Sequence, residues 1–313
     1  MSSPSRRPRV SIGLPVYNAE RYLEAALRSL LQQTYTDFEL IISDNASTDR
    51  TGAMCRDYAA RDPRIRYTRN DTNIGGSPNH NRVFHLSRGV FFTWAAHDDL
   101  RAPEHVERCV AVLEADPDVV LCYTAIMDID AEERPIGPPP VDIDASALRP
   151  SDRFRQLIRM EHKLEPNYGV IRSDILARTP LEGQYADCDR VLFAELGLYG
   201  RFHQLSETLF LRRRHPEQST RVYASRHERR LWYDPSGKTR VVFPHWRQFG
   251  EYLRSIHRVP LPWVERLGCY AAMGWWLRQY GNRVWLDVGL GAKEIIRPLV
   301  PPALRRALRT ARS

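Results

Sequence analysis

Apolar, β-branched runs alternate with helix-like segments through the first 126 residues, and this alternation constrains the fold more than any other feature. Runs typical of buried strands are RVSIGLPVY (9–17), FELIISDN (38–45), IRYTRN (65–70) and VFFTWAA (90–96). Apolar residues recur at helical spacing in segments 19–34, 47–60 and 78–89. Strands that alternate with helices in this way predict an α/β fold with a Rossmann-like, mostly parallel sheet flanked by helices.

The pattern continues less regularly in the second half. We predict helices at 103–115, 151–160 and 187–199, strands at 119–126, 168–172 and 205–211, and a proline-rich loop, RPIGPPP, at 134–140. Four tryptophans follow between 260 and 290: Trp263, Trp275, Trp276 and Trp285. We interpret them mainly as core and helix-packing residues, although aromatic faces also suit an acceptor glycan or lipid. This organisation predicts a main domain, 1–220, and a mainly helical C-terminal region, 221–313.

Composition narrows the class of protein. At 42% hydrophobic and 27% charged residues, the chain is typical of a soluble globular protein. Its five scattered cysteines form no metal-binding spacing, and we expect buried, reduced thiols in a reducing cytosol. The N-terminus lacks the apolar stretch of a signal peptide, and charged residues interrupt the C-terminal apolar region, so we expect neither export nor a membrane span. The expected location is cytoplasmic.

The charge is unevenly divided along the chain. The net charge of +8 is the sum of −5 over residues 1–204 and +13 over residues 205–313. We expect the C-terminal third to meet phosphate groups or, peripherally, an anionic membrane surface. LRRALRTAR (304–312) has the pattern of an interfacial helix, although a solvated helix or a frayed terminus has the same pattern. No recognisable nucleic-acid-binding module accompanies the charge, so no nucleic acid partner is expected.

Three polar clusters lie at the predicted strand ends: Pro15 to Asn18, Asp44 to Ser47 and His97 to Asp99. Ligands of open parallel sheets bind beyond the carboxyl ends of the strands. We therefore expect the three clusters to form one site.

The adjacent carboxylates of Asp98 and Asp99 are costly after an apolar strand unless they are solvated, paired or bound to a cation. One or two carboxylates together with substrate phosphate are how Mg²⁺ or Mn²⁺ is often held on a nucleotide. Asp99 is alternatively the N-cap of the following helix. The residues alone leave both interpretations open.

The order and spacing of four blocks resemble the family 2 glycosyltransferases, which have the A-type nucleotide-sugar fold, over about residues 8–220. The blocks are VSIGLPVYNAERYLEAALRSLLQQTYTDFELIISDNASTDRT, NIGGSPNHN, HDDLRAPEHVE and YADCDRVLFAELGLYGRFHQLSETLFLRRRHPEQST. The resemblance implies that the main domain binds a nucleotide-sugar donor.

The resemblance also implies which residues hold the donor. Asp44 would hydrogen-bond the base, and Asn45 stands where many relatives have a second acid, although a UDP-sugar is still favoured. The segment around Gly75 and Asn81 would lie beside the ribose and the sugar, although the glycines alone indicate only a turn. The remaining residues expected at the nucleotide are Pro15, Val16, Tyr17, Asn18 and Ser47.

In the family, the last Asp of an acidic cluster coordinates the metal and the preceding one approaches the ribose or sugar. This assigns Asp99 as the Mn²⁺ or Mg²⁺ ligand and Asp98 as a donor contact or further ligand. His97 departs from the usual motif and is either a ligand or a bystander. His215 matches a position near the diphosphate, as a second ligand, a phosphate contact or simply a loop histidine.

The resemblance places the general base at Asp187, with Asp189 as the alternative, and either carboxylate is otherwise a helix cap or a partner of the helix dipole. The implied reaction is an inverting sugar transfer to a hydroxyl of a glycan, lipid-linked or small-molecule acceptor. Two other classes remain: a nucleotidyltransferase of related fold, and a catalytically silent protein that binds nucleotide sugars.

Overall fold

A computed structural model describes residues 7–137, 145–160, 165–222 and 243–296. The predicted strands are present, and β8 extends beyond its predicted ends. A short strand, β5, was not predicted because its two residues show no alternating pattern. The strands are β1 (Val10–Val16), β2 (Phe38–Asp44), β3 (Ile65–Arg69), β4 (Phe91–Trp94), β5 (Leu100–Arg101), β6 (Val119–Ile129), β7 (Val170–Arg172) and β8 (Arg201–Arg213).

The helices also follow the prediction, with shifted ends. The first begins at Leu23 rather than at residue 19, because the preceding loop is bonded elsewhere: the Ala19 amide donates to Thr51 Oγ1 at 2.7 Å. The helices are α1 (Leu23–Leu31), α2 (Thr51–Arg61), α3 (Gly76–His85), α4 (His105–Ala115), α5 (Pro150–Leu157), α6 (Ser173–Leu176), α7 (Cys188–Tyr199), α8 (Ser219–Val222), α9 (Pro244–Arg258) and α10 (Trp263–Ile296).

The strands form one mixed sheet in the order β3-β2-β1-β4-β7-β6-β8-β5. Strands β1 to β4 are mutually parallel where they pair, as are β6 and β8, whereas β7 and β5 pair with their neighbours in the antiparallel direction. The chain passes from β1 to β3 on one side and then returns to place β4 on the other side of β1. This reversal opens a crevice at the carboxyl ends of β1 and β4.

The sheet separates two hydrophobic cores. One core packs α1, α2 and α4 against one face, and the other packs α3, α5, α7, α9 and α10 against the opposite face. Gly13 permits the close approach of α3, because a Cβ atom there would lie 2.6 Å from Val83 and 2.8 Å from Phe92. Strands β1, β2 and β4 are therefore buried on both faces, as their near-continuous apolar runs indicate.

The C-terminal helices share the second core with the sheet. Tyr252 of α9 and Trp276 of α10 are buried in it. The Glu195 carboxylate of α7 is fully buried, and it accepts hydrogen bonds from Ser255 Oγ at 2.7 Å and from the Arg258 guanidinium. Helix α9 is thus joined to α7 by both apolar and ionic contacts, and the domain boundary at residue 220 stays a prediction.

The tryptophan prediction is only half correct. Trp276 is buried and Trp275 is partly buried, but Trp263 and Trp285 are 73% and 72% exposed. The two exposed residues lie on the side of α10 that faces away from the core. All five cysteines are free and buried, as predicted.

None of the helices within the described ranges is long and apolar enough to cross a membrane. The LRRALRTAR segment lies outside the described residues, as do residues 138–140 of the predicted proline-rich loop.

Candidate active site

The loops after β1 and β2 are hydrogen-bonded to each other. The Asn18 amide donates to Ser47 Oγ at 3.0 Å, and the Thr48 amide donates to Asn18 Oδ1 at 2.9 Å. Asn18 and Ala46 both have positive φ, 47° and 63°, which bends each loop sharply as it leaves its strand. These contacts bring two of the predicted clusters together.

The four predicted residues at the end of β1 divide into two pairs. Pro15 and Val16 are buried within β1 and pair with Ser43 and Asp44 of β2. Tyr17, at 45% exposure, and Asn18 lie just beyond the strand, open to solvent. Of the four, Tyr17 and Asn18 are therefore the residues accessible to a ligand at this edge.

Asp44 is fully buried, and its carboxylate accepts hydrogen bonds from three directions. The donors are the Ser47 amide at 2.8 Å, Tyr67 Oη at 2.9 Å and the Arg69 guanidinium at 2.6 Å. Burial opposes ionisation, but the hydrogen bonds from Ser47, Tyr67 and Arg69 outweigh it and lower the pKa of Asp44. Asp44 is a buried anion that positions the partly exposed Arg69.

A network of asparagine amides supports the loop before α3, and the sequence analysis missed it. Asn45 Nδ2 donates to Asn73 Oδ1 at 2.9 Å and to the Gly75 carbonyl at 3.2 Å, while Asn70 Nδ2 donates to Asn45 Oδ1 and Asn79 Oδ1, each at 3.0 Å. Gly75 has φ 95° and ψ 165°, a conformation open essentially to glycine alone. The repeated asparagines of NDTNIGGSPNHN were the available signal.

The two carboxylates of the acidic turn after β4 have different partners. Asp99 Oδ1 accepts a hydrogen bond from the Arg213 amide at 2.8 Å, and the residue is only 6% exposed. Asp98 Oδ2 lies 2.9 Å from His215 Nε2. The sequence predicted Asp99 as the residue facing the metal, whereas these contacts bring Asp98 and His215 together.

The pKa values of the two carboxylates are shifted in opposite directions. Burial raises the pKa of Asp98, but the charge of His97 and the hydrogen bond with His215 outweigh it and lower the pKa overall. Burial and the charge of Asp98 raise the pKa of Asp99 well above its usual range. Asp98 is therefore the carboxylate that ionises first.

Arg213 holds the acidic turn in place through its hydrogen bonds. The residue is 1% exposed, and its side chain donates to the Asp98 carbonyl at 2.9 Å, the Ala131 carbonyl at 2.9 Å and the Glu133 carboxylate at 3.0 Å. Its guanidinium also lies 4.8 Å from the ring centroid of Tyr22. One residue of β8 thus joins the turn after β4 to the loop after β6.

Asp187 immediately precedes α7 and has a left-handed backbone, with φ 64° and ψ 27°. Its side chain makes no hydrogen bond that caps the helix, so the capping interpretation is wrong for this residue. Asp189 Oδ1 accepts from the Arg190 amide at 2.9 Å, and burial followed by the charge of Asp187 raises the pKa of Asp189 to about 6. Strained positions of this kind often occur at functional sites.

Helix α3 joins the segment before α7 to the strand-end loops. Asn81 makes a two-point contact with Glu182: its Nδ2 donates to the Glu182 carbonyl at 2.8 Å, and its Oδ1 accepts from the Glu182 amide at 3.1 Å. Ser77, in the first turn of α3, lies 3.6 Å from the sulfur of Cys188. Asp187, the residue before Cys188, is therefore held beside the N-terminal end of α3, and Asn81 has a structural contact rather than an exposed amide.

The donor set at the acidic turn fits a divalent cation that is also coordinated by the phosphates of a bound substrate. Within the described ranges, no three His, Cys, Asp or Glu side chains form a metal-binding group. Asp98 and His215 supply one carboxylate and one imidazole, and the buried Nδ1 of His215 has no hydrogen-bond partner. Mg²⁺ commonly takes one or two carboxylates and completes its shell with water and substrate phosphates.

The profile of glycosyl transferase family 2 matches residues 11–171. The chain belongs to this family. The matched part of this family 2 chain includes β1 to β4, the acidic turn and the asparagine network.

Relatives of this family 2 chain match it over part of its length. It is 35% identical to chondroitin synthase of Escherichia coli over 128 residues, which are 41% of this chain and 18% of that protein. It is 37% identical to the putative glycosyltransferase EpsE of Bacillus subtilis over 108 residues, 34% of this chain and 39% of that protein. The matches thus span less than half of these relatives.

Solved structures confirm the A-type fold. TarS 1–349 of S. aureus, solved in complex with UDP-GlcNAc, has a TM-score of 0.60 at 15% identity, covering 91% of this chain and 81% of that one. The mannosyltransferase PcManGT of Pyrobaculum calidifontis, in complex with GDP-Man and Mn²⁺, has a TM-score of 0.55 at 17% identity, covering 98% and 80%.

Proposed function

We propose that this chain is an inverting, metal-assisted glycosyltransferase that moves a sugar from a nucleoside-diphosphate sugar to an acceptor hydroxyl. The observation that carries the proposal is a pair of acidic turns, one with Asp98 Oδ2 2.9 Å from His215 Nε2 and the other with Asp187 next to Cys188, whose sulfur lies 3.6 Å from Ser77 Oγ of α3. Sugar transfer needs both functions: compensation of the charge on the diphosphate, and a base for the hydroxyl.

The residues that we propose at the donor fit a nucleotide. The exposed ring of Tyr17 offers an aromatic contact at the crevice, and Arg69, held by Asp44, offers hydrogen-bond donors nearby. The solved relatives carry different bases, since TarS was solved with UDP-GlcNAc and PcManGT with GDP-Man. We favour a UDP-sugar because of the sequence resemblance. Measured binding of UDP- and GDP-sugars decides which base the chain takes.

We assign the cation, Mn²⁺ or Mg²⁺, to Asp98 and His215 rather than to Asp99. The low pKa of Asp98 and the proximity of His215 support this assignment, whereas Asp99 is bonded to the backbone of β8. A cation bound there compensates the negative charge of the diphosphate. Asp99 and Arg213 then serve to position the turn.

Asp187 is the proposed general base. As the acceptor oxygen bonds to the anomeric carbon, the bond from that carbon to the diphosphate oxygen breaks, and the hydroxyl proton passes to the Asp187 carboxylate. Attack from the face opposite the leaving group inverts the configuration at that carbon. Holding donor and acceptor in one crevice supplies a further part of the rate through orientation. The acceptor is a hydroxyl of a glycan, a lipid-linked sugar or a small molecule.

The test is a calorimetric screen of UDP- and GDP-sugars with Mn²⁺, with Mg²⁺ and with EDTA, followed by analysis of products. We expect one nucleotide sugar to bind more tightly with metal and to release the nucleoside diphosphate on turnover. Release of pyrophosphate would identify a nucleotidyltransferase instead. Metal-dependent binding without consumption of the donor, across a panel of glycan and lipid-linked acceptors, would identify a silent binding protein.

A further inference from the structure

The outward face of α10 is apolar although no described part of the chain covers it. Trp263, Leu267, Trp285 and Leu286 are all more than half exposed. The opposite face of the helix is buried in the second core, through Cys269, Ala272, Met273, Trp276, Tyr280 and Val284. The helix therefore has two apolar sides, and packing within the described chain accounts for only one of them.

The exposed apolar residues form a stripe along the helix. Val264, Leu267, Ala271, Gly274, Gly281 and Trp285 recur at intervals of three, four or seven residues, and none of them is buried. A Cβ atom added at Gly274 or Gly281 would meet nothing within 4 Å, so the stripe faces open space in its middle. Trp263 and Trp285 lie 22 residues apart, about 33 Å along the axis, at the two ends of the stripe.

A third tryptophan lies near one end of α10, beside the buried Asp287. Trp246, at the start of α9, is 41% exposed, and its backbone amide lies 3.4 Å from Asp287 Oδ2 of α10. Trp246 and Trp285 thus lie near the same end of α10, and Trp263 lies at the other end. Tryptophan at the edges of an apolar surface is typical of proteins that contact the interface between lipid and water.

The charge on this face is positive. The acids between residues 263 and 288 are Glu265 and Asp287, and both are engaged: Glu265 accepts from Arg149 at 3.0 Å, and Asp287 accepts from the His245 amide at 2.6 Å. Of the exposed charged residues in the same stretch, Arg278 lies on the stripe, whereas Arg283 lies about 200° around the helix from Trp285 and contacts Met160 and Tyr280. The +13 net charge of residues 205–313 has the same sign.

The positive charge of this face favours an anionic surface over a second copy of the chain as its partner. A second copy of the chain, paired by a two-fold axis through the stripe, would bring Arg278 towards its own counterpart with no exposed acid between residues 263 and 288 to compensate it. An anionic surface instead attracts Arg278. The inward face of α10 is committed to the core, so the helix can only lie on such a surface and insert its tryptophans shallowly.

We propose that the exposed face of α10 binds an anionic lipid bilayer, with Trp263, Leu267 and Trp285 entering the interface and Arg278 meeting the headgroups. This binding is separate from the proposed sugar transfer and requires no nucleotide. It gives a use to the tryptophans that the core does not bury.

The test is co-sedimentation of the full chain with large vesicles of phosphatidylcholine alone or with 30% phosphatidylglycerol. We expect binding to the anionic vesicles that weakens with salt, and binding at least about tenfold weaker for Trp263→Ser/Trp285→Ser and for Arg278→Glu. The matched control is Ile136→Ser, which removes an exposed apolar side chain outside α10 and should leave binding unchanged. Thermal melting should confirm that each variant folds.

Three results would overturn the proposal. The first is wild-type chain that stays in the supernatant with anionic vesicles. The second is vesicle binding that neither the double tryptophan variant nor Arg278→Glu reduces. The third is a dimer in sedimentation equilibrium that the same substitutions dissociate, which would assign the stripe to a second copy of the chain. Calorimetry with the nucleotide sugar, run on the same variants, keeps a failure here distinct from a failure of the proposed function.

Discussion

The acidic turn after β4 and the acidic segment before α7 each carry two aspartates, but the chain holds them in different ways. Asp99 is held by Arg213 and Asp98 by His215, which lie 114 and 117 residues further along the sequence. Asp187 is held by its own left-handed backbone, and Asp189 by the amide of the next residue. Long-range hydrogen bonds thus reach the carboxylates of the proposed metal side directly, whereas on the proposed base side Asn81 and Ser77 of α3 contact the neighbouring residues Glu182 and Cys188.

This difference predicts two separable groups of variants. Changes in β8 should disturb the metal side and leave the base side intact, because the side chain of Arg213 contacts the turn after β4 and the loop after β6. Side-chain changes at 187 and 189 should disturb catalysis or local stability and leave nucleotide binding intact. Each of the following substitutions tests whether nucleotide binding at one turn and catalysis at the other change separately or together.

The largest effect is expected for Asp187→Asn. Asparagine tolerates a left-handed backbone about as well as aspartate, so the fold should persist while the base is lost. We expect turnover of the donor to fall about 1,000-fold with donor affinity unchanged, which is within the usual contribution of a general base. The checks are initial rates and calorimetry. Turnover retained within a few fold would exclude Asp187 and direct attention to Asp189.

The next effect distinguishes the two carboxylates of the metal side. We expect Asp98→Asn to weaken Mn²⁺-dependent donor binding about 100-fold and Asp99→Asn about 10-fold, as ligands and their supporting groups commonly differ. The smaller loss is expected because the amide oxygen introduced by Asp99→Asn could still accept the hydrogen bond from the Arg213 amide. Calorimetry with and without Mn²⁺ measures both. The opposite ranking would restore Asp99 as the ligand.

Arg213→Ala tests the long-range support. The substitution leaves the carbonyls of Asp98 and Ala131 without their buried donor, and we expect a loss of about 2 kcal/mol in the free energy of unfolding. Urea unfolding measures this loss, and calorimetry should show weaker metal-dependent binding. Arg134→Ala is the matched control, since that arginine is exposed and should leave stability unchanged. Equal effects of the two variants would contradict the supporting role of Arg213.

The sequence pattern predicted the elements and the meeting of the strand ends, because period and turn chemistry are local signals. It also placed Asp187 at the start of α7 by resemblance. It did not predict which of Asp98 and Asp99 points towards His215, since that depends on how β8 lies beside β6 and brings residues 213 and 215 under the turn. Long-range register of this kind leaves no periodic signal in the chain.

The tryptophans of α10 show a second limit. Apolar residues surround this helix on most sides, so the 3.6-residue period does not indicate which side meets the core. Trp276 and Trp285 differ by nine residues and point to different sides of the helix, one buried and one 72% exposed. Only the packing of α10 against α5 and α9 separates them.

The smallest predicted effect is a pH dependence on the base side. The pKa of Asp189 is raised to about 6 in the fold, first by burial and then by the charge of Asp187. Between the unfolded pKa, near 4, and the folded value, the native chain binds more protons than the unfolded one. This contribution therefore lowers stability as pH rises from about 4 to about 6, and the cost stays constant above that range.

Asp189→Asn removes the titrating charge and keeps an oxygen for the Arg190 amide. We expect the variant to match the wild-type free energy of unfolding near pH 3.5 and to exceed it by about 1 kcal/mol at pH 7.5, a discounted value because the side chain is partly solvated. Urea titrations at several pH values measure the difference, with the exposed Asp174→Asn as control. A difference that does not change with pH would mean that the fold does not raise the pKa of Asp189.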